Sequence, residues 1–253
     1  MQKYKALVTD IDGTLIPNQF DGKLSQKTID AFAKIKDTMH IAVATSRHPQ
    51  DIFHLTSALN LTGPSIVYGG AQIINVATKE VLWEQPLDIE EAKEMIDILR
   101  AMEIPFVVND NGKKNHIQKT TKYLPDKPLS VWVYGQEADI IDTFHKIIKH
   151  LRKSDFHTIP SWKNGKMDFL VTHIKATKQH ALYELTKLLQ IQPKDLIAIG
   201  DGPNDLPLLM SAGLKVAMGN AVDDLKAIAD YVAPSVEDDG VADVIEKFIL
   251  QEE

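Results

Sequence analysis

Apolar positions along this chain follow two alternating rhythms. Segments of strand length built around short apolar runs occur at 5–12 (KALVTDID), 40–44 (HIAVA) and 65–68 (SIVY), the last followed by Gly69 and Gly70. Between them, residues 25–36 repeat their apolar positions Ile29, Phe32, Ala33 and Ile35 at helical spacing, with Ser25 placed as an N-cap. Pro49 suits the first turn of a second helix reaching about Asn60. This β-α-β-α-β order predicts parallel strands covered by helices. The same order returns late in the chain. Helices are expected at 178–190, 206–212, 224–229 and 241–250, and strands at 195–200 (DLIAIG), 214–217 and 231–233. The two ends therefore read as halves of one doubly wound parallel sheet.

The middle has another pattern. Residues 88–102 form an amphipathic stripe of Ile89, Ala92, Met95, Ile96 and Leu99. Strands are predicted at 104–109, 115–120, 130–134, 156–160 and 166–172, with a second amphipathic helix at 138–151. Strand clusters separated by helices predict an α+β module. It is inserted near 83–87 and closed near 173–177. The expected organisation is a Rossmann-like core from 1–84 and 176–253 and an inserted α+β cap from 85–175.

Composition narrows the function. The 253 residues are 44% hydrophobic and 25% charged, an ordinary globular balance with no repeat or low-complexity segment. A chain of this length buries roughly 70–75% of its unfolded surface and needs no disulfide staple. Thirty-five acids against 28 bases give a net charge of -7, which argues against nucleic-acid and anionic-membrane partners. With no cysteine, disulfides, thiolate metal sites and cysteine nucleophiles are excluded. The N-terminal apolar run is too short for a signal peptide, and no stretch approaches the roughly 18–20 apolar residues of a membrane span. A soluble cytoplasmic protein is expected.

Four segments carry candidate chemistry. Asp10 and Asp12 lie two residues apart at the carboxyl end of the first strand, where ligands bind in open parallel sheets. Strand geometry would turn both to one pocket, although a solvated Asp-Gly turn reads similarly. Thr45, Ser46 and Arg47 follow the second strand; hydroxyls and free N–H groups at such a turn suit a phosphate, or simply cap the next helix. Lys178 opens the helix after the inserted module and is either a charge-neutralising cation or a solvated lysine. Asp201, Asn204 and Asp205 crowd a Gly-rich turn after a buried strand and offer hard oxygen ligands to a cation.

In this order the four segments resemble the haloacid dehalogenase-like superfamily of phosphotransferases. The tail from GDGPNDLPLL to DDGVADVI and the segment IVYGGAQI are similar to Cof-like phosphatases, which carry a large α/β cap between their second and third motifs. The resemblance covers about residues 4–84 and 176–250; the cap matches only in length and element order. It implies that Asp10 is the nucleophile and Asp12 the general acid/base. Thr45, Ser46, Arg47 and Lys178 would hold phosphoryl oxygens, and Asn204 would orient Lys178 or the phosphate. Asp10, Asp201, Asp205 and the carbonyl of Asp12 would surround Mg²⁺. Ser46 stands where the family often has glycine, and Gly69 where it often has asparagine.

Elementary electrostatics agrees with a cation. Two carboxylates about 4 Å apart repel by about 4 kcal/mol at an effective dielectric near 20. Several in one pocket require compensating charge. The expected reaction is Mg²⁺-dependent hydrolysis of a small soluble phosphorylated metabolite, through a phosphorylated aspartate. The expected protein is a monomer or weak homodimer. A phosphomutase of the same superfamily and a phospho-accepting signalling module are the competing readings; the latter are about half this length and lack a cap. The scattered histidines show no metal-ligand spacing and the methionines read as core. The stretch 162–166 (WKNGK) reads either as a substrate-facing hairpin or as a plain Asn-Gly turn.

Overall fold

The computed structural model describes residues 3–19, 21–118, 120, 122–160 and 166–251. The stretch 162–166 lies outside the described residues except for Lys166. The first part contains β1 (Ala6–Thr9), α1 (Gln26–Ile35), β2 (His40–Val43), α2 (Pro49–Ala58), β3 (Pro64–Val67), β4 (Gln72–Asn75) and β5 (Val81–Glu84). The middle contains α3 (Ile89–Ala101), β6 (Phe106–Asp110), β7 (Lys113–Ile117), β8 (Pro128–Gln136), α4 (Ala138–Ile148), β9 (Ser154–Pro160) and β10 (Met167–His173). The last part contains α5 (Lys178–Leu189), β11 (Leu196–Gly200), α6 (Leu206–Met210), β12 (Leu214–Ala217), α7 (Asp223–Ile228), β13 (Tyr231–Val232) and α8 (Gly240–Ile245).

Five strands pair in parallel in the order β13-β12-β11-β1-β2, uniting both ends of the chain in one sheet. β1 and β11 are buried at every position, as their continuous apolar sequences require when both faces are covered. Local signals fix the helix starts. The Ser25 hydroxyl accepts the Thr28 N–H, Thr177 caps α5 through the His180 N–H, and Pro49 occupies the first turn of α2.

The third expected strand does not join this sheet. β3 instead pairs antiparallel with β4, and β4 with β5. It touches the parallel sheet through the isolated bridge Ala44–Ile66. The cause is the turn after it. Tyr68, Gly69 and Gly70 all have positive φ, at 54°, 69° and 118°. Three such residues reverse the chain at once, so Gln72–Asn75 folds back along β3.

The second five-stranded sheet is antiparallel, in the order β7-β6-β8-β10-β9. Its core is separate from that of the parallel sheet. Val108, Val131, Val133, Phe169 and Val171 pack with Ala92, Met95, Ile96 and Leu99 of α3 and Ile141, Phe144 and Ile148 of α4. Strand alternation then puts Val107, Trp132, Leu170 and His157 on the opposite face. Pairing joins those four in one row: Val107 opposes Trp132, Trp132 opposes Leu170, and Leu170 opposes His157.

Candidate active site

The site forms where β1, β2 and β11 end. Asp10 follows β1 and donates its N–H to the Ile199 carbonyl at 3.0 Å, so it is held at the sheet edge, 6% exposed. Asp201 and Asp205 come from the turn after β11. Asp10, Asp201 and Asp205 each offer a carboxylate oxygen, all within 4.8 Å of one another. Lys178, the first residue of α5, is buried among them. Its Nζ donates to Asp10 Oδ1 at 2.8 Å and to Asp205 Oδ1 at 2.6 Å.

These acids have different amounts of support. Asp205 is fully buried; its second oxygen accepts the N–H groups of Asp201 and Gly202, each at 3.1 Å. It thus anchors its own turn as well as Lys178. Asp201 accepts from the Thr14 hydroxyl at 2.8 Å. Gly13, at φ 78°, lies so close to Asp201 that a Cβ there would fall 2.2 Å from its Oδ2. Asn220 braces the same turn, its side-chain amide donating to the Gly13 carbonyl at 2.8 Å. Sequence reasoning missed Thr14 and Asn220. Thr14 was adjacent to the acidic motif; Asn220 carried no local signal, because only the fold brings it across.

Charge makes this pocket uncomfortable by itself. Burial, then the neighbouring Asp205, pushes the Asp10 carboxyl up to about 7, despite Lys178. Burial, then Asp10 and Asp205, pushes Asp201 up to about 8. Burial opposes charge on Lys178, but Asp10 and Asp205 outweigh it and raise its pKa. One lysine therefore does not neutralise three acids. The pocket is short of positive charge, and its donors are all hard oxygens, which fits Mg²⁺.

Asp12 is separate from this cluster. β1 ends at Thr9, and the chain turns before Asp12, so the two-residue strand rule no longer aims it beside Asp10. Its carboxylate instead receives Arg47, from Nε at 2.8 Å and a terminal nitrogen at 2.5 Å. Thr45 is buried after β2, and its hydroxyl accepts the Arg47 N–H at 3.1 Å. Ser46 is half-buried beside it. Asn204 is half-buried in the Pro203–Asp205 turn, and its side chain makes no hydrogen bond to Lys178.

The antiparallel sheet closes over this edge. A Cβ on Gly69 would fall 2.6 Å from Leu170 Cδ2 and 3.8 Å from both Ser46 Oγ and Thr172 Cγ2. β9 packs against the Pro203–Asp205 turn. Ion pairs Lys114–Asp51 and Lys127–Glu84 cross the seam.

Comparison with known proteins adds an independent line. The haloacid dehalogenase-like hydrolase family matches the chain over residues 7–122 and 109–245. The putative phosphatase YxeH of Bacillus subtilis (strain 168) is 24% identical, over 98% of this chain and 99% of that protein. The 5-amino-6-(5-phospho-D-ribitylamino)uracil phosphatase YitU of the same organism is 24% identical over 96% of each. A haloacid dehalogenase-like hydrolase from Bacteroides thetaiotaomicron has the same fold, with a TM-score of 0.82 and 23% identity over 96% of this chain and 99% of that one. The subclass IIB sugar phosphatase BT4131 gives a TM-score of 0.80 and 22% identity, over 96% and 98%.

Proposed function

This chain belongs to the haloacid dehalogenase-like hydrolases and is a phosphatase, and on that premise we propose that it hydrolyses a small phosphorylated metabolite through a phosphorylated Asp10. The observation that carries the mechanism is the division of labour between two nearby carboxylates. Asp10 faces Lys178 and the acidic cluster, whereas Asp12 is gripped by Arg47 outside it.

An Asp10 oxygen attacks phosphorus while the ester P–O bond breaks. Asp12 delivers a proton to the departing oxygen and becomes a carboxylate. Water then attacks phosphorus, Asp12 takes its proton, and inorganic phosphate leaves as Asp10 is regenerated. Lys178 and Thr45 hold the oxygens of the transferring group, beside Ser46 and Arg47. Asp10, Asp201, Asp205 and the Asp12 carbonyl would hold Mg²⁺, which supplies positive charge to the transferring phosphoryl group when bound.

Residues 85–175 act as a cap on a catalytic core formed by 1–84 and 176–253. The cap seats on Gly69 through Leu170, next to Ser46. The substrate is a sugar phosphate or a similar metabolite, a reading supported by the named activities of BT4131 and YitU. The protein works in the cytoplasm as a monomer or weak homodimer, without nucleic-acid or membrane partners.

The test is phosphate release from p-nitrophenyl phosphate combined with rapid-quench mass measurement. Many turnovers are expected for the native chain and background turnover for Asp10→Asn. Asp12→Ala should accumulate a phosphoenzyme burst of about one equivalent, because this leaving group needs little protonation. Retained turnover in Asp10→Asn with no burst in Asp12→Ala would reverse the assignment.

A further inference from the structure

The face of the antiparallel sheet that meets the core is built by the row Val107, Trp132, Leu170 and His157. Leu170 seats this row on Gly69, next to Ser46. His157 is the polar end of the row. Its strand, β9, packs on the turn carrying Asn204 and Asp205, and Lys178 is near enough for its charge to act on the imidazole. The pairing register therefore carries one histidine from the cap to the edge of the phosphate site.

The hydrogen bonds around His157 identify which ring nitrogen is open. Thr172 Oγ1 donates its proton to the Ala176 carbonyl at 3.1 Å. It meets His157 Nε2, at 3.4 Å, as an acceptor. Asp155 Oδ2, also an acceptor, is 3.4 Å from the same nitrogen. Nε2 thus carries the proton in the neutral ring, and Nδ1 keeps its lone pair. Among the described residues, Nδ1 accepts no hydrogen bond. Burial lowers the pKa of the ring, and the charge of Lys178 adds to this, while the Asp155 carboxylate works in the other direction. The side chain is 19% exposed, so the ring is not sealed inside the protein.

We infer that His157 is a specificity-determining residue: its Nδ1 accepts a hydrogen bond from a hydroxyl or N–H donor on the leaving group, whose carbon face rests against the half-buried Trp132. This rests on the phosphatase reading above. It selects leaving groups that present a donor close to the phosphoester and disfavours alkyl groups of equal size.

The experiment compares kcat/KM for three probe sets: p-nitrophenyl phosphate, a panel of hexose, pentose and polyol monophosphates, and n-alkyl phosphates of matched chain length. The native chain should prefer the best hydroxylated phosphate over its alkyl match by about tenfold to hundredfold. His157→Ala should remove most of that preference and leave p-nitrophenyl phosphate within about threefold. His157→Gln, which restores an acceptor oxygen, should recover part of it. The inference is overturned if alkyl phosphates match hydroxylated ones in the native chain, if His157→Ala keeps the preference, or if it lowers all three sets equally. Absence of turnover with p-nitrophenyl phosphate in the native chain would instead sink the phosphatase reading beneath it.

Discussion

Arg47 grips Asp12 by both carboxylate oxygens, at 2.8 and 2.5 Å, while Asp10, two residues earlier, turns its own carboxylate to Lys178. The fork geometry of a guanidinium fixes the plane of the carboxylate, which a single ammonium cannot do. Arg47→Lys should therefore keep the charge and lose the orientation. With an alkyl phosphate, kcat should fall by about a hundredfold and KM should change much less. With p-nitrophenyl phosphate, phosphorylation of Asp10 should be nearly spared. Steady-state and single-turnover kinetics separate the two; an equal loss on both substrates would show that Arg47 acts on phosphate binding instead.

The acidic pocket predicts a coupling between protons and metal. Asp10 and Asp201 are held at about 7 and about 8, against an ordinary 3.8. Between those values the native, metal-free chain binds more protons than the unfolded chain. Its stability should therefore fall as pH rises from about 4 to about 8. Mg²⁺ requires both groups ionised, so it should release protons on binding and flatten that fall. Thermal unfolding across this range, with and without Mg²⁺, reads the first effect. Calorimetry in buffers of different ionisation enthalpy reads the second. EDTA should abolish turnover and Mg²⁺ restore it; Mg²⁺ uptake near pH 6.5 without proton release would contradict the arrangement.

Gly69 and Leu170 form a matched pair. Asparagine tolerates positive φ, so the backbone at 69° does not by itself demand glycine there. Leu170 is what a side chain there would meet, because its Cδ2 lies 2.6 Å from where a Cβ would stand and would have to move. Gly69→Asn should cost about 1–3 kcal/mol through overpacking. Leu170→Ala should cost about 2–5 kcal/mol through lost packing. The double variant should be less destabilised than the sum, by at least about 0.5 kcal/mol. Urea unfolding of the four chains checks this; additivity would mean that the two residues do not meet in solution.

Local patterns carried much of the fold. The spacing of Ile29, Phe32 and Ile35 and the Ser25 cap together define α1, because period and terminus agree. The almost wholly apolar and fully buried β1 and β11 declare a sheet covered on both faces. The β3-β4-β5 sheet was not legible. Its strands are four residues each, and the decisive event is a left-handed turn at Tyr68, a residue type that gives no such signal. At the site, Asp10, Lys178, Asp201 and Asp205 were recoverable because each sits at an element end that the topology gathers at one edge. The Arg47–Asp12 pairing was not, because it depends on where β1 stops. Asn220 and His157 reach the site through a distant loop and a strand register, neither of which leaves a mark in the nearby sequence.

The tight packing at Gly70 has a mechanical consequence. A Cβ there would strike the Thr177 carbonyl carbon at 2.3 Å, and the Gln85 N–H reaches the neighbouring Ala71 carbonyl at 2.8 Å. Both threads that join the two sheets thus cross at one point, directly before Lys178. A tilt of one sheet against the other would therefore pivot beside Lys178 and would have to part the Lys114–Asp51 ion pair.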